Sequence, residues 1–297
     1  MSQGTGAPPA QGDTTSQRDQ IVAKAVREVS HIATLPEITI RIIETVEDPN
    51  STAQDLHLII ANDPALCARV LKVVNSSFYG LPGQIGSINR AIVLLGLNAV
   101  KNIAIAASLA RLFRGGQLTP NFAAKDLWAH SIAVGATTKL LAERVELRLT
   151  DEAFLSGLMH DIGIMVQMQT LRAQLVEVIE SKGDRSFVAT EQAIIGADHQ
   201  DFGKGLCESW KFPRSFACVT GHHHDPLALG RDIRTLTTLV HLADTLAAQS
   251  GIGYTGTVDQ SEVAPDVLDD ARLTTKQLDQ VSEQIPEAYE VADQLLR

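Results

Sequence analysis

Aromatic residues are scarce: Phe, Tyr and Trp together make up 4% of 297 residues, while Ala, Leu, Ile and Val are abundant. A core with so few rings must be filled by aliphatic side chains, which suits packed helices better than a sandwich of strands. Alternating stretches of β-branched residues are nearly absent, which points the same way. Cysteine is equally sparse. Cys67, Cys207 and Cys218 form no Cys-x-x-Cys pair, so small buried thiols in a reducing cytoplasm are expected. A basic surplus is missing as well. The formal net charge is −10, whereas a protein that binds duplex must replace the counterions around phosphates. Nucleic acid and anionic lipid surfaces are both disfavoured partners on that ground. Long apolar runs are also missing. The most apolar stretch, 91–113, is interrupted by Asn98, Lys101 and Asn102 and reads as a buried helix, not a membrane span. Residues 1–20 are polar and lack the apolar core of a secretion signal, so a cytoplasmic location is expected.

What is present has the patterning of a helical globular protein, with 44% hydrophobic and 20% charged residues. Residues 1–16, rich in Gly, Ser, Thr, Gln and Pro, read as a disordered tail. From about 18 onward helix follows helix. Pro36 suits a first turn, and Ile38, Ile42, Ile43 and Val46 follow on one face. Ser51 and Gln54 have capping-box spacing, Asp63-Pro64 reads as an N-cap with a first-turn proline, and Ser87 and Gly96 bracket a short helix. Further helices are expected at about 97–113, 122–146, 152–169, 171–182, 187–196, 199–210, 214–224, 232–249 and 274–295. A weak boundary falls at 114–121, and a Gly- and Thr-rich stretch at 250–265 reads as a surface loop.

Seven of the nine histidines lie between 130 and 241. His160-Asp161 sits in Gly157-Leu-Met-His-Asp-Ile-Gly163. On a continuous helix Asp161 shares a face with Phe154, Leu158 and Met165, and a carboxylate there is costly unless a cation or several donors meet it. Gly157 and Gly163 flank His160 at three residues on either side, where missing side chains let another helix or a ligand approach. His130 lies on the stripe Leu127, Val134, Leu141; His223 on Phe216, Val219; Asp244 on Leu236, Val240, Ala247; and His199 opens a further helix. Each has an ordinary reading: a core histidine bonded to a carbonyl, His222–His224 as a solvated helix end, Asp244 capping a helix or paired with Arg234. Jointly they describe inward imidazoles and carboxylates on separate helices. That donor set suits Mn, Fe, Ni or Zn better than Ca or Mg.

At this point the chain resembles a known family. His130…His160-Asp161…Asp244 is similar to the ligand set of the HD superfamily of metal-dependent phosphohydrolases, and most similar to its HDOD (HD-related output domain) branch over about 18–250. The motifs that carry the resemblance are Leu35-Pro36, Asp63-Pro64-Ala65-Leu66, Val74 to Gly80, Ile88 to Gly96, Leu127 to Ser131, Gly157 to Gly163, Asp198-His199 with Gly203, Trp210 to Pro213 and His223 to Pro226. The resemblance implies an all-α, HD-superfamily-like helical bundle in two lobes, an N-terminal HDOD lobe at 17–116 and an HD-like lobe at 117–250. Beyond it, 251–297 reads as a C-terminal helical extension, with helical spacing at Leu278, Val281, Ile285 and Tyr289. The resemblance also implies a regulatory role in bacterial signalling through other signalling proteins. Most members are regarded as non-catalytic because their metal ligands have eroded. Here His130, His160, Asp161 and Asp244 are all present, and His199, His223 and His224 match further ligand positions of the related HD-GYP phosphodiesterases, which implies one or two divalent transition-metal ions. Two departures weigh against hydrolysis of a cyclic dinucleotide. Ile164 stands where active relatives have Lys, and no Gly-Tyr-Pro follows His223-His224-Asp225. Three functions are therefore open: a regulatory scaffold with a residual metal, a metal-dependent phosphohydrolase acting on a nucleotide or cyclic dinucleotide, and a nucleotide-binding sensor without turnover.

Overall fold

Side-chain caps punctuate the first helices. In the structure, a computed structural model that describes residues 12–32, 37–76, 79–81, 83–110, 112–113, 116–183, 185–259 and 262–296, the early elements are α1 (Gly12–Ile32), α2 (Glu37–Glu47), α3 (Ala53–Ala61), α4 (Pro64–Val74), α5 (Ile88–Leu95) and α6 (Leu97–Leu109). α1 begins at Gly12, so residues 12–16 of the expected tail are helical. Residues 1–11, Leu35-Pro36 and Ser77-Phe78 lie outside the described residues. The capping box before α3 falls one residue later than Ser51 and Gln54. The Asp55 N–H donates to the Thr52 hydroxyl at 3.4 Å, and the Thr52 N–H donates to the Asp55 carboxylate at 2.8 Å. A short acidic side chain three residues on closes the box as well as Gln does. Asp63 caps α4 by accepting from the Leu66 N–H at 2.9 Å, with Pro64 in the first turn. Ser87 accepts from the Arg90 N–H at 3.3 Å, and Gly96, at φ +90°, ends α5 in a conformation that costs other residues strain.

The second half opens with a small antiparallel hairpin, β1 (Gln117–Thr119) and β2 (Phe122–Ala123). Then come α7 (Ala124–Arg144), α8 (Thr150–Met159), α9 (Ile162–Thr170), α10 (Arg172–Ser181), α11 (Phe187–Ile194), α12 (His199–Ser209), α13 (Arg214–His222) and α14 (Thr235–Gln249). The helix expected over 152–169 is two helices, broken at His160-Asp161. The single helix expected over 274–295 is also two, α16 (Thr275–Ser282) and α17 (Ile285–Leu296), preceded by α15 (Pro265–Ala271).

Helix packing does not follow chain order strictly. α1 lies against α9 and α12 in the second half, and α17 packs on both α7 and α4. Tyr79 joins the halves: its hydroxyl donates to Asp151 at 2.8 Å, and the Lys139 ammonium sits 4.9 Å from its ring centre. The close approaches expected at the glycines are present. A methyl at Gly157 would lie 2.9 Å from the Gly135 Cα and 2.8 Å from the Val134 carbonyl, and one at Gly163 would strike the His199 carbonyl. α8 therefore rests on α7, and α9 on α12, backbone against backbone. No described helix is long and apolar enough to cross a membrane.

Candidate metal centre

These close contacts bring three helix junctions and two helix interiors to one point. His130 projects from the middle of α7 and Asp244 from the middle of α14. His160 and Asp161 form the break between α8 and α9, His199 is the first residue of α12, and His223 with His224 follows the last turn of α13. Asp161 therefore does not share a helical face with Phe154 and Leu158, as a continuous helix would require. It stands at the start of α9 and makes no side-chain cap. All seven expected residues converge. His130, His160, Asp161, His199 and His223 are fully buried and Asp244 nearly so, while His224 is half-buried. His222 belongs to none of the clustered donor groups.

The centre has two adjoining halves that share Asp161. On one side Asp161 Oδ1 lies 3.4 Å from His199 Nε2 and 3.5 Å from His223 Nε2, and His224 Nε2 lies 2.9 Å from His199 Nε2. On the other, Asp161 Oδ2 lies 3.4 Å from His160 Nε2, Asp244 Oδ1 lies 3.6 Å from the same nitrogen, and His130 Nε2 is 2.9 Å from Asp244 Oδ1. Donor atoms of Asp161, His199, His223 and His224 all fall within 4.8 Å of one another. So do those of His130, His160 and Asp161, and those of His160, His223 and Asp244. Ligands opposite each other across an ion with bonds of about 2.1 Å are roughly 4.2 Å apart, so these separations are of the right size.

Three rings are held in the orientation that a metal needs. His160 Nδ1 donates to the Gly157 carbonyl at 2.7 Å and His223 Nδ1 to the Val219 carbonyl at 3.2 Å. His199 Nδ1 donates to Glu191 at 2.7 Å. A neutral imidazole that donates from Nδ1 carries its lone pair on Nε2, the atom facing Asp161 in each case. The core-histidine reading thus holds for one nitrogen of His160 and His223, and the other nitrogen is free for a ligand. Both Asp161 oxygens and His160 Nε2 are buried without a hydrogen-bond partner. Such an orphaned carboxylate costs several kcal/mol unless a cation faces it.

Electrostatics describe the same demand for positive charge. Burial pulls His160 down, but Asp161 and Asp244 outweigh it and lift the ring to about 9. Burial likewise opposes protonation of His199, yet Glu191 and Asp161 raise it to about 10. Burial pushes Asp161 up, and the neighbouring imidazoles, His160 foremost, hold it well below the usual carboxylate range. His223 and His224 are lowered, chiefly by burial. Protons on two imidazoles thus occupy positions a metal cation can take, and the residues present fit a divalent transition ion with nitrogen and oxygen ligands.

Two contributors were not expected from the sequence. Glu191 is fully buried; besides His199 Nδ1 it accepts from the His199 N–H at 3.1 Å and from Gln167 at 2.7 Å. Its signal was the spacing Phe187, Thr190, Glu191, Ile194, which places it on the inward face of α11. His241, one turn before Asp244, donates to the His223 carbonyl at 2.7 Å and fixes that corner. Arg234, an alternative partner for Asp244, pairs with Asp270 instead. Ile164, at the position where active relatives have Lys, is fully buried in α9.

A family model for the HDOD domain matches residues 32–226. Among solved structures, an HDOD domain protein from Geobacter sulfurreducens is similar over 95% of this chain and 99% of its own, at 22% identity and a TM-score of 0.79. A protein from Marinobacter aquaeolei VT8, described as a candidate signal transduction protein, is similar over 97% of this chain and 68% of its own, at 21% identity and 0.74. A candidate phosphohydrolase from Shewanella amazonensis SB2B is similar over 93% and 98%, at 21% and 0.72. An uncharacterized protein from Treponema pallidum is 22% identical over 77% of this chain, and the chain spans 44% of that protein's length. The solved structures share the helical fold with this chain.

Proposed function

The chain belongs to the HDOD family, and from that premise we propose that it is a cytoplasmic signalling module that holds one or two divalent transition-metal ions and acts by binding another signalling protein, without turning over a substrate. One observation carries the metal: Asp161, buried at the start of α9, has both oxygens free of hydrogen bonds and imidazoles on either side. His160, His199, His223 and His224, with Asp161, His130 and Asp244, would hold the ions. Bound there, a metal would fix the junctions α8–α9, α11–α12 and α13–α14 relative to one another, so its presence would set the shape of the surface those helices offer. The absence of turnover rests on closure and on Ile164. Apart from His224 the expected ligands are buried, and no lysine ammonium replaces the aliphatic side chain at 164. All three cysteines are unpaired, in keeping with a reducing compartment.

A second reading, metal-dependent phosphoester hydrolysis, is favoured by the sharing of Asp161 between the two donor sets. Paired ions of that kind activate water for attack at phosphorus. Assay of metal-loaded protein against nucleotides, cyclic dinucleotides and simple phosphoesters separates the two. The module predicts no turnover above metal in buffer. Turnover that is lost in His160→Ala would establish the enzyme.

A further inference from the structure

α1 precedes the segment that the family model matches, residues 32–226, save for its last residue. It nevertheless lies on the helices that carry the centre. α1 packs on both α9 and α12, which also pack on each other, so it covers the seam between them. α9 starts next to Asp161, and α12 starts at His199. Two glycines clear a track for α1. A side chain at Gly196 would begin 3.1 Å from Ile21 Cδ1, and one at Gly205, within α12, would begin 2.8 Å from Val22 Cγ1. Along this track α1 lays an aliphatic stripe, Ile21, Val22, Ala25, Val26 and Val29, of which the last three are buried. The spacing is that of one helical face.

The polar tether at the start of α1 is slight. Arg18 pairs with Asp201 at 3.6 Å, with the arginine 45% exposed, and a pair so open to water contributes little. Beside α1 the groove stays open. A cleft of about 540 Å³ lies between α1 and α12, lined by Arg18, Val22 and Val26 on one side and by Asp201, Gly205 and Glu208 on the other. α1 thus occupies the groove without filling it. A helix held by small apolar side chains and an exposed ion pair, over an unfilled cleft, opens at low cost.

We propose that the groove between α9 and α12 is where the module engages its partner, that the partner supplies an amphipathic helix with small aliphatic side chains on one face and an arginine one turn ahead of them, and that α1 holds the place in cis until that helix displaces it. The inference rests on the reading of the chain as a module that binds another signalling protein, and names the surface and the partner's chemistry. Docking of a helix in a groove needs apolar anchors at successive turns, which α1 presents, and a floor that admits them, which Gly196 and Gly205 provide. Asp201 and Glu208 give the rim an acidic side for the arginine. Both walls begin at residues of the centre, so metal bound there would set their spacing and carry the state of the module to its partner.

The test uses the full chain, wild type and Ala25→Glu, loaded with Mn and desalted. A glutamate at that buried position cannot stay against the seam. Circular dichroism and metal per chain check that the variant keeps its fold. The probe is a fluorescein-labelled peptide of residues 12–32, read by anisotropy, beside the same peptide carrying Val22→Glu and Val26→Glu. A tethered α1 competes at an effective concentration on the order of millimolar. The expected result is therefore peptide binding at least roughly tenfold tighter to Ala25→Glu than to wild type, with the altered peptide binding neither. Equal binding to both proteins, or none, overturns the proposal, as does equal binding of the two peptides. Wild type that elutes as a dimer while Ala25→Glu elutes as a monomer overturns it too, since the occupant is then α1 of a second copy. Should Ala25→Glu not fold, hydrogen exchange of wild type decides. Amides of α1 that exchange roughly tenfold faster than those of α9 and α12 support the proposal, and equal rates overturn it. Any of these failures in metal-loaded, inert wild type removes the groove alone, whereas turnover lost in His160→Ala removes the reading beneath it.

Discussion

Two aspartates begin helices in the two halves of this protein, and they are used in opposite ways. Asp63, in the first half, turns back and caps α4, accepting from the Leu66 N–H at 2.9 Å while remaining partly open to water. Asp161, in the second half, stands at the start of α9, fully buried, and caps nothing. The first arrangement contributes stability directly, typically about 1 kcal/mol. The second lowers stability unless positive charge faces it, and the surrounding helices deliver five imidazoles to do so. A helix start is a local stabilising device in one region and, on the proposed reading, a ligand-presenting device in the other. What separates them is whether the side chain is left to its own backbone or is directed away from it by close helix packing.

That contrast is broken most severely at Gly163. Gly163→Ala places a methyl against the His199 carbonyl and forces α9 from α12. The expected cost is about 3 kcal/mol in a urea melt, with loss of metal binding, because the start of α9 can no longer reach α12. Next is Asp161→Asn. Metal at a hundredfold excess over its Kd should stabilise wild type by about 2.7 kcal/mol, and the variant should show little of this in thermal melts run with and without metal. Glu191→Gln keeps the volume and removes the charge that orients His199. Calorimetric metal affinity should fall by roughly 10- to 100-fold.

The pH dependence sharpens the same point in protein kept free of metal. His160 at about 9 and His199 at about 10 both lie above the ordinary imidazole value of 6.5. A raised folded-state value gives stability that is complete below the unfolded value and is lost as pH climbs through the folded one. Melting temperature in chelator should therefore decline between pH 7 and 10, and bound metal should flatten that decline. The smallest effect belongs to the first half. Asp63→Ala should cost about 1 kcal/mol, the same with or without metal.

The sequence carried more of the site than of its setting. His130 and Asp244 were legible because each interrupts an apolar stripe on a long helix, where periodicity is a faithful guide. His223 was legible from its stripe with Phe216 and Val219, and His199 from the helix it opens. The break at His160-Asp161 was not, since neither Gly nor Pro stands at the break and the apolar spacing runs through it unaltered. Long-range packing forces the turn, and spacing along one segment contains no record of that. Glu191 was missed for a different reason: glutamate is ordinarily a solvated residue, and only its place beside Phe187 and Thr190 on one face marks it as buried. The docking of α1 on α9 and α12 depends on contacts between residues more than a hundred positions apart, which no local pattern encodes.

The account is tested most directly by counting metal in the full-length protein purified without chelator and then exposed to Mn, Fe, Ni and Zn. One or two ions per chain in wild type, and none retained by Asp161→Asn after desalting, is the result that a buried, cation-seeking aspartate predicts. Wild type that stays metal-free while folding normally would contradict it, and would mean that protons on His160 and His199 are the charges this pocket was built to hold.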